Sequence, residues 1–280
     1  PAHPGCLCCR HQRVSAMAEN ILEQLAAYAR TRVEQAKAVR PLADVKAAAL
    51  AQPKRDFAFE KALGQPGVRF ICECKRASPS KGLIAPVFPY LDIAKEYAAA
   101  GADAISVLTE PKWFLGSDEY LQQIAAAVPV PCLRKDFTVD EYMIYEAKLL
   151  GASAVLLICS LLDTETLHHY LGIGEALGLS ALVEAHDEQE IASAAAAGAR
   201  VIGVNNRNLK NFTLDVTNSL ALRQKAPPGV LFVAESGITS PSDVSALRAA
   251  GVDAVLVGEA LMRAPDKAAA LAALRGVDAP

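Results

Sequence analysis

The sequence predicts a single (β/α)8 barrel, a closed parallel sheet wrapped in helices, with a short helical segment in front that packs against it. Three observations lead there. From Val68 onward, apolar runs of strand length alternate eight times with helical segments that are Ala-rich or carry charged faces, which is the pattern of a parallel sheet covered by helices. A helix end, a glycine and a strand entry recur at Gly101, Gly151, Gly198 and Gly251. That two-unit rhythm suits a barrel whose alternate strands fill alternate core layers. Finally, 280 residues, 52% of them hydrophobic and 21% charged, suffice for one large core at a size that α/β barrels reach. A doubly wound open sheet is the competing architecture, but no Gly-x-Gly-x-x-Gly follows the first strand to support it.

In chain order, residues 1–16 form a short Pro-, Gly- and Arg-containing stretch. They are expected to be a non-native or disordered extension, with Met17 as the natural start. Cys6, Cys8 and Cys9 lie near His3 and His11, but they make no Cys-x-x-Cys pair, and no metal is assigned. Residues 17–66 read as a helical cap. A helix over 20–39 starts at an Asn20/Glu23 capping pair, with Ile21, Leu25 and Tyr28 at helical spacing, and Pro41 ends it. Further helices are expected over 42–52 and 56–63, the last stopping at Gly64.

Residues 67–280 then carry the barrel. Strands are expected at 69–75, 104–108, 131–135, 154–159, 180–184, 201–204, 231–235 and 254–258. The helices between and after them fall at 91–100, 118–127, 140–150, 163–177, 188–197, 215–224, 241–250 and 266–274. The loop from Arg76 to Pro89 is long for a βα loop, contains Pro79, Gly82, Pro86 and Pro89, and is expected to be the moving part.

Composition excludes several classes. A net charge of -3 gives no sign of a nucleic-acid or membrane-binding surface. No apolar run approaches the ~18–20 residues that span a bilayer, and no secretory signal pattern is visible. Cys72, Cys74, Cys132 and Cys159 sit in apolar strand runs, where cysteine acts as a small hydrophobe.

Chemistry gathers at the ends of the odd strands. Glu73 and Lys75 lie two apart, so on a strand both point to one face. The third strand ends in Arg134-Lys135-Asp136, the fifth in Glu184 and the seventh in Glu235-Ser236; the sixth adds Asn205-Asn206-Arg207. Each alone reads as a structural ion pair. In a barrel, all C-terminal strand ends meet at one mouth, so two lysines and several carboxylates are expected in one pocket. Gly237 and Gly258 follow the seventh and eighth strands. Glycine there lets backbone N–H groups approach an anion with a helix N-terminus behind, as at the phosphate site of many barrels. No nucleotide P-loop and no zinc spacing is present.

The stretch Glu73-Cys74-Lys75-Arg76-Ala77-Ser78-Pro79-Ser80-Lys81-Gly82 resembles the signature of the indole-3-glycerol phosphate synthases. The resemblance continues in Val107-Leu108-Thr109-Glu110, Leu133-Arg134-Lys135-Asp136-Phe137 and Leu182-Val183-Glu184-Ala185-His186-Asp187. It returns in Gly203-Val204-Asn205-Asn206-Arg207-Asn208-Leu209, Glu235-Ser236-Gly237-Ile238 and Leu256-Val257-Gly258-Glu259. It spans about residues 18–275. Cys74 and Ala185 replace more usual aliphatics, and Ala260 stands where many members have serine.

The resemblance implies a lyase of tryptophan biosynthesis. Its reaction closes a ring in 1-(2-carboxyphenylamino)-1-deoxyribulose 5-phosphate, releasing carbon dioxide and water. It further implies Lys135 as general acid held by Glu73, Lys75 on the leaving carboxylate, Glu184 as the group that takes or relays a proton in dehydration, and Asn205 on substrate hydroxyls. Ser236 joins this catalytic set. Ser78, Ser236, Gly237, Gly258 and Glu259 are the phosphate candidates, the last two through backbone N–H. Pro79, Phe114, Phe137 and Leu156 are expected to wall the aromatic ring, and Arg207 and Glu235 to touch substrate elsewhere.

No cofactor, metal, nucleic-acid or membrane partner is expected. The resemblance implies a cytoplasmic monomer or weak oligomer, open to association with other tryptophan-pathway enzymes. Two competing readings are a Schiff-base aldolase-type barrel using Lys75 or Lys135 and a catalytically silent phosphate-binding barrel. A silent barrel would be expected to lose a catalytic lysine or glutamate while keeping its glycines, whereas here both sets stand.

Overall fold

Period-two alternation along each strand decides which residues face the barrel axis and which face the surrounding helices. The computed structural model describes residues 7–209 and 211–276, with side chains from Ile21 onward. Eight parallel strands close into a barrel: β1 Arg69–Cys74, β2 Ala104–Leu108, β3 Cys132–Lys135, β4 Ala154–Ile158, β5 Ser180–Ala185, β6 Val201–Asn205, β7 Leu231–Glu235 and β8 Ala254–Val257. β1 pairs with β2 on one side and β8 on the other, which completes the ring. Every expected strand is present, with ends differing by at most one residue.

Outward side chains such as Phe70, Cys72, Arg134, Val183 and Phe232 face the helical layer, and their apolar members join the larger buried cluster. Inward ones form a second cluster that includes Ile71, Leu133, Leu182 and Val233 from the odd strands. Two residues further along, those same four strands carry Glu73, Lys135, Glu184 and Glu235, all buried or nearly so. An apolar layer is thus topped by a charged one. The expected rhythm of alternate strands takes this form.

The surrounding helices are α4 Tyr90–Ala99, α5 Asp118–Ala127, α6 Glu141–Leu149, α7 Thr164–Leu177, α8 Glu188–Ala197, α9 Thr217–Arg223, α10 Pro241–Ala249, α11 Glu259–Arg263 and α12 Lys267–Arg275, numbered after three N-terminal helices. Side-chain caps start several of them. Asp140, Asp163 and Asp187 accept backbone N–H groups at the heads of α6, α7 and α8, and Ser240 and Asp243 form a reciprocal capping box on α10. The four repeat glycines all adopt positive φ at the helix ends, as a left-handed C-terminal turn requires.

The N-terminal segment reaches both ends of the barrel. α1 runs continuously over Leu7–Val39, α2 over Leu42–Ala51 and α3 over Ala58–Leu63. The helix therefore does not begin at Asn20. No proline or glycine stands between Cys6 and Arg40, so nothing in the chain chemistry stops the helix at a capping pair in its interior. The side chains of the expected extension, including the Cys6, Cys8 and Cys9 cluster, lie outside the described residues.

Leu25 and Ala29 of α1 and Phe59 and Leu63 of α3 join the barrel's inner cluster. Phe59 and Leu63 sit among Ile71, Ala104, Ala154, Val201 and Ala254, inward residues of the lower strands, so α3 plugs the base. Burial of each such side chain is worth about 1.5–3 kcal/mol. Lys148 secures this region from α6, donating to the backbone oxygens of Pro53 (2.7 Å) and Leu177 (2.8 Å).

α1 is tied to the other end by charge. Arg32 grips Asp136, one residue past β3, through Nη1 (3.0 Å) and Nη2 (2.6 Å), and Thr109 donates to the same carboxylate at 2.6 Å. Burial pushes the Asp136 carboxyl up, but the Arg32 bonds and the Arg32 and Arg134 charges outweigh it and hold it below its usual value.

Removing one partner of a buried pair leaves a desolvated charge, at a cost of about 3–5 kcal/mol. Arg32→Met should therefore lower the melting temperature by several degrees at neutral pH. Asp136 has a depressed pKa, so its contribution exists above the ordinary carboxylate range and is lost as pH falls through it. The deficit should shrink on acidification, as read by thermal melts from pH 7 down to about pH 3. An equal deficit at both ends would show that Arg32 acts through packing alone.

Candidate active site

At the C-terminal mouth a cavity of about 400 Å³ opens, and every expected catalytic, phosphate, ring and substrate-contact residue lines it, whereas Arg134 and Asn206 do not. Its floor is the charged layer. Glu73 is the centre: Lys75 Nζ lies 3.0 Å from its Oε1, and Lys135 Nζ lies 3.6 Å from its Oε2. Ser106 on β2 donates to that Oε2 at 2.9 Å. Lys135 is also 3.9 Å from Glu235 Oε2.

Burial determines what these charges do. Glu73 would be raised by desolvation, but Lys135, Lys75 and Ser106 hold it down at about 2. Burial likewise disfavours the Lys135 ammonium, yet Glu73, Glu235 and Glu184 overcome it and keep the pKa above the usual lysine value. Glu235 is the odd member. Burial and the Glu184 charge push it up to about 8, and neither of its oxygens has a hydrogen-bond partner. Its environment thus favours the protonated carboxyl, beside an ammonium.

Two walls rise from this floor. The apolar wall contains Phe114 and Phe137, with ring centroids 5.9 Å apart, and Leu156 from β4. Phe114 is placed by Glu110, which is fully buried and accepts the backbone N–H groups of Lys112, Trp113 and Phe114 at 2.7–2.9 Å. The polar wall is built from β6 and β7. Asn205 Oδ1 accepts from Ser236 Oγ at 2.9 Å and from the Arg207 backbone at 3.0 Å. Its amide NH2 is left as the end that can meet a ligand oxygen.

Ser236 and Gly237 both adopt positive φ, at 67° and 77°. For serine this is a strained backbone, of the kind that persists where surrounding structure enforces it. A side chain at Gly237 would run into Val216 and Leu214. At Gly258, a Cβ would meet Glu73 Oε1 and Lys75 Nζ, at 2.9 and 3.0 Å. Gly258 therefore makes room for the ion pair as well as opening the backbone. Across the mouth, the Arg76–Pro89 loop folds as a small hairpin, Ala77–Ser78 against Gly82–Leu83, which brings in Ser78 and Pro79. Lys81 in its turn reaches Glu259 at 3.7 Å, and Glu259 also pairs with Arg263.

Several contributors carried no assignment from the sequence. Ile21, Leu22 and Leu25 of α1 line the cavity, although the helical spacing of Ile21 and Leu25 signalled only an apolar face. Ser106 and Glu110 lie in or beside a strand that otherwise reads as apolar. Conversely, Arg134 neighbours Lys135 but points outward, where it pairs with Asp118 (2.7 Å) and Glu146 (2.8 Å).

A family profile described as indole-3-glycerol phosphate synthase matches residues 22–274. The chain is 58% identical over 257 residues to the indole-3-glycerol phosphate synthase of Ruminiclostridium cellulolyticum, covering 91% of this chain and 99% of that one. It is 50% identical over 256 residues to the enzyme of the same name from Endomicrobium trichonymphae, with the same coverage. Among solved structures, a 3-hexulose-6-phosphate synthase superposes with a TM-score of 0.62 at 21% identity, covering 76% of this chain and all of that one. That likeness concerns the fold alone.

Two outcomes follow from the geometry of Glu235. A methyl at Gly203, on β6, would overlap its carboxylate. Gly203→Ala should keep the fold but cost on the order of 10²-fold in turnover, the scale of a misplaced substrate contact; unchanged steady-state rates would show that the position of Glu235 is immaterial. Because its pKa is raised, folding binds a proton at Glu235. That stability is fully present below the ordinary glutamate pKa and lost as pH rises through about 8. Glu235→Gln should therefore melt above the parent at pH 9 and lose this advantage by pH 5.

Proposed function

The chain belongs to the indole-3-glycerol phosphate synthase family, and from that membership we propose how its cavity performs the decarboxylating ring closure. The enzyme is a carboxy-lyase. Its substrate, 1-(2-carboxyphenylamino)-1-deoxyribulose 5-phosphate, presents an aromatic carboxylate, a ketone and a phosphate. The observation that carries the assignment of roles is the pair of lysines on either side of Glu73, beneath an aromatic wall.

Ring closure turns the ketone oxygen into an alkoxide. Lys135, buried and held in its charged form chiefly by Glu73, is the general acid that protonates it, and Glu73 fixes its position. Lys75 stands at the rim of the same carboxylate, where it holds the substrate's carboxylate until carbon dioxide leaves. Glu184 takes or relays the proton of dehydration, and Asn205, with Ser236 orienting its amide, meets the substrate hydroxyls. Arg207 and Glu235 make the remaining polar contacts.

The phosphate binds between Ser78 on the hairpin and the backbone of Ser236, Gly237, Gly258 and Glu259. Pro79, Phe114, Phe137 and Leu156 wall the ring. The enzyme works without a cofactor, in the cytoplasm, as a monomer or weak oligomer. Among the described residues no helix is long and apolar enough to cross a membrane. A Schiff-base mechanism fits this cavity less well, because it needs an uncharged lysine nucleophile and the surroundings of Lys135 favour its ammonium.

The two lysines are separable by experiment. An interaction made only in the transition state affects turnover, whereas one already present with bound substrate also sets the Michaelis constant. Lys135→Ala should lose at least ~10²-fold in kcat with KM nearly kept. Lys75→Ala should lose in both. Fluorescence of the indole product, followed in steady state and in single turnover, reads both variants. Ring closure by Lys135→Ala at near the parent rate would remove it as the acid and move that role to Lys75.

A further inference from the structure

Ring closure of this substrate consumes a proton. A carboxylate, charged in the substrate, departs as neutral carbon dioxide, and the water released takes its oxygen from the former ketone. Lys135 protonates that oxygen as the new carbon–carbon bond forms. Breaking the carbon–carboxylate bond returns its electron pair to the ring. In dehydration, one proton goes to the departing hydroxyl as the carbon–oxygen bond breaks, and one is removed from the ring carbon beside the nitrogen. Two protons are given and one is taken back, so one must enter the buried floor from solvent in each turnover.

His186 occupies the place where such a proton can enter. It follows β5 directly and does not itself line the cavity. Its Nε2 is buried, makes no hydrogen bond, and faces Glu184 Oε1 at 3.4 Å. Its Nδ1 lies 3.2 Å from Glu190 Oε2, in the first turn of α8, and 3.4 Å from Ser160 Oγ in the loop after β4. Glu190 also accepts from the His186 backbone (2.7 Å) and from Ser160 Oγ (2.8 Å). Asn218 of α9 donates to the His186 carbonyl at 3.3 Å. Ser160 is exposed and Glu190 partly so, whereas Glu184 is buried. One ring thus joins the surface to the catalytic floor. The charged groups facing it are Glu184 on β5, Glu190 on α8 and Glu235 on β7. Burial disfavours its charged form, but the Glu190 bond and the Glu184, Glu190 and Glu235 charges raise its pKa to about 9.

We propose that His186 is the proton entrance of the site, linking solvent at Glu190 and Ser160 to Glu184. The Nε2–H bond breaks and an O–H bond forms on Glu184, which passes that proton to the departing hydroxyl. The freed Glu184 carboxylate then takes the proton from the ring carbon and returns it to neutral Lys135. The neutral imidazole regains its proton from solvent. Lys135 and Glu184 are thereby restored, and one solvent proton has been consumed. A packing role alone leaves a buried imidazole nitrogen aimed, unbonded, at the carboxylate that handles protons.

The inference rests on Glu184 acting in dehydration, so three variants are assayed together for indole product. In dilute phosphate, His186→Ala and His186→Gln should fold as the parent does and keep its KM. Their turnover should fall at least ~10-fold, less than the ~10²–10⁴-fold that loss of an acid or base itself costs. Added imidazole and its methylated relatives should restore His186→Ala in proportion to their strength as acids and leave the parent unchanged. Parent-like turnover in either variant, or a loss that no buffer acid repairs, overturns the proposal. So does restoration that follows the size of the added ring rather than its acidity, because that is cavity filling. If Glu184→Gln is inactive while His186→Ala matches the parent, the relay alone is wrong. If Glu184→Gln stays active, the role of Glu184 fails and the relay with it.

Discussion

A single ammonium surrounded by buried carboxylates organises the mouth of this barrel. Lys135 projects inward from β3 into a layer whose other members are Glu73, Glu184 and Glu235, each two residues above an apolar inward neighbour. Removing these groups from water is expensive, and their mutual attraction offsets it only while the geometry holds. Much of the nearby structure serves that geometry. Ser106 satisfies Glu73 from β2, Gly258 clears space for Lys75, and Gly203 clears space for Glu235. The floor is thus prearranged before substrate arrives, which is the condition for electrostatic stabilisation at low reorganisation cost.

The N-terminal helices complete the barrel rather than decorate it. α3 fills the base with Phe59 and Leu63, where the inward residues alone are small, Ala104, Ala154 and Ala254 among them. α1 lends Ile21, Leu22 and Leu25 to the cavity and fixes the residue after Lys135 through the Arg32–Asp136 pair. A surface-exposed ion pair would contribute little. This one is bidentate, its carboxylate is buried, and it sits one peptide bond from Lys135, so it couples helix docking to the placement of that lysine.

Most of this was legible in the sequence because the signals that carry it are local. Strand length, helix caps and the spaced glycines each depend on a few neighbouring residues. The two-residue spacing of Glu73 and Lys75 fixes their common face whatever the rest of the chain does. What stayed hidden depends on distant partners. The start of α1 at Leu7 was masked by a capping pair at Asn20, since a good cap inside a longer helix looks the same in sequence as one at its end. The hairpin in the Arg76–Pro89 loop rests on cross-strand pairing of Ser78 with Gly82, which no periodicity announces across so short a span. Arg134 and Lys135 illustrate the remaining ambiguity. Adjacent on one strand, they face opposite sides, and only the register of β3 against its neighbours decides which one meets the axis.

The charged layer also explains why its members do different work. All four are buried, yet their neighbours push them apart. Glu73, with two ammoniums and a hydroxyl, is held well below the usual carboxylate range, whereas Glu235, facing Glu184 with no donor on either oxygen, is pushed above it. Lys135 is stabilised as an acid by the carboxylates that Glu73 heads. In the proposed cycle, an acid held so firmly gives up its proton only to a stronger base, and an alkoxide formed in a dry pocket is one. After that proposed transfer the layer would hold an uncharged lysine among carboxylates, a state the same electrostatics disfavour. The field that makes Lys135 hard to deprotonate therefore drives its recharging. The supply of a proton from outside, rather than the affinity of Lys135 for one, becomes the remaining constraint on the cycle.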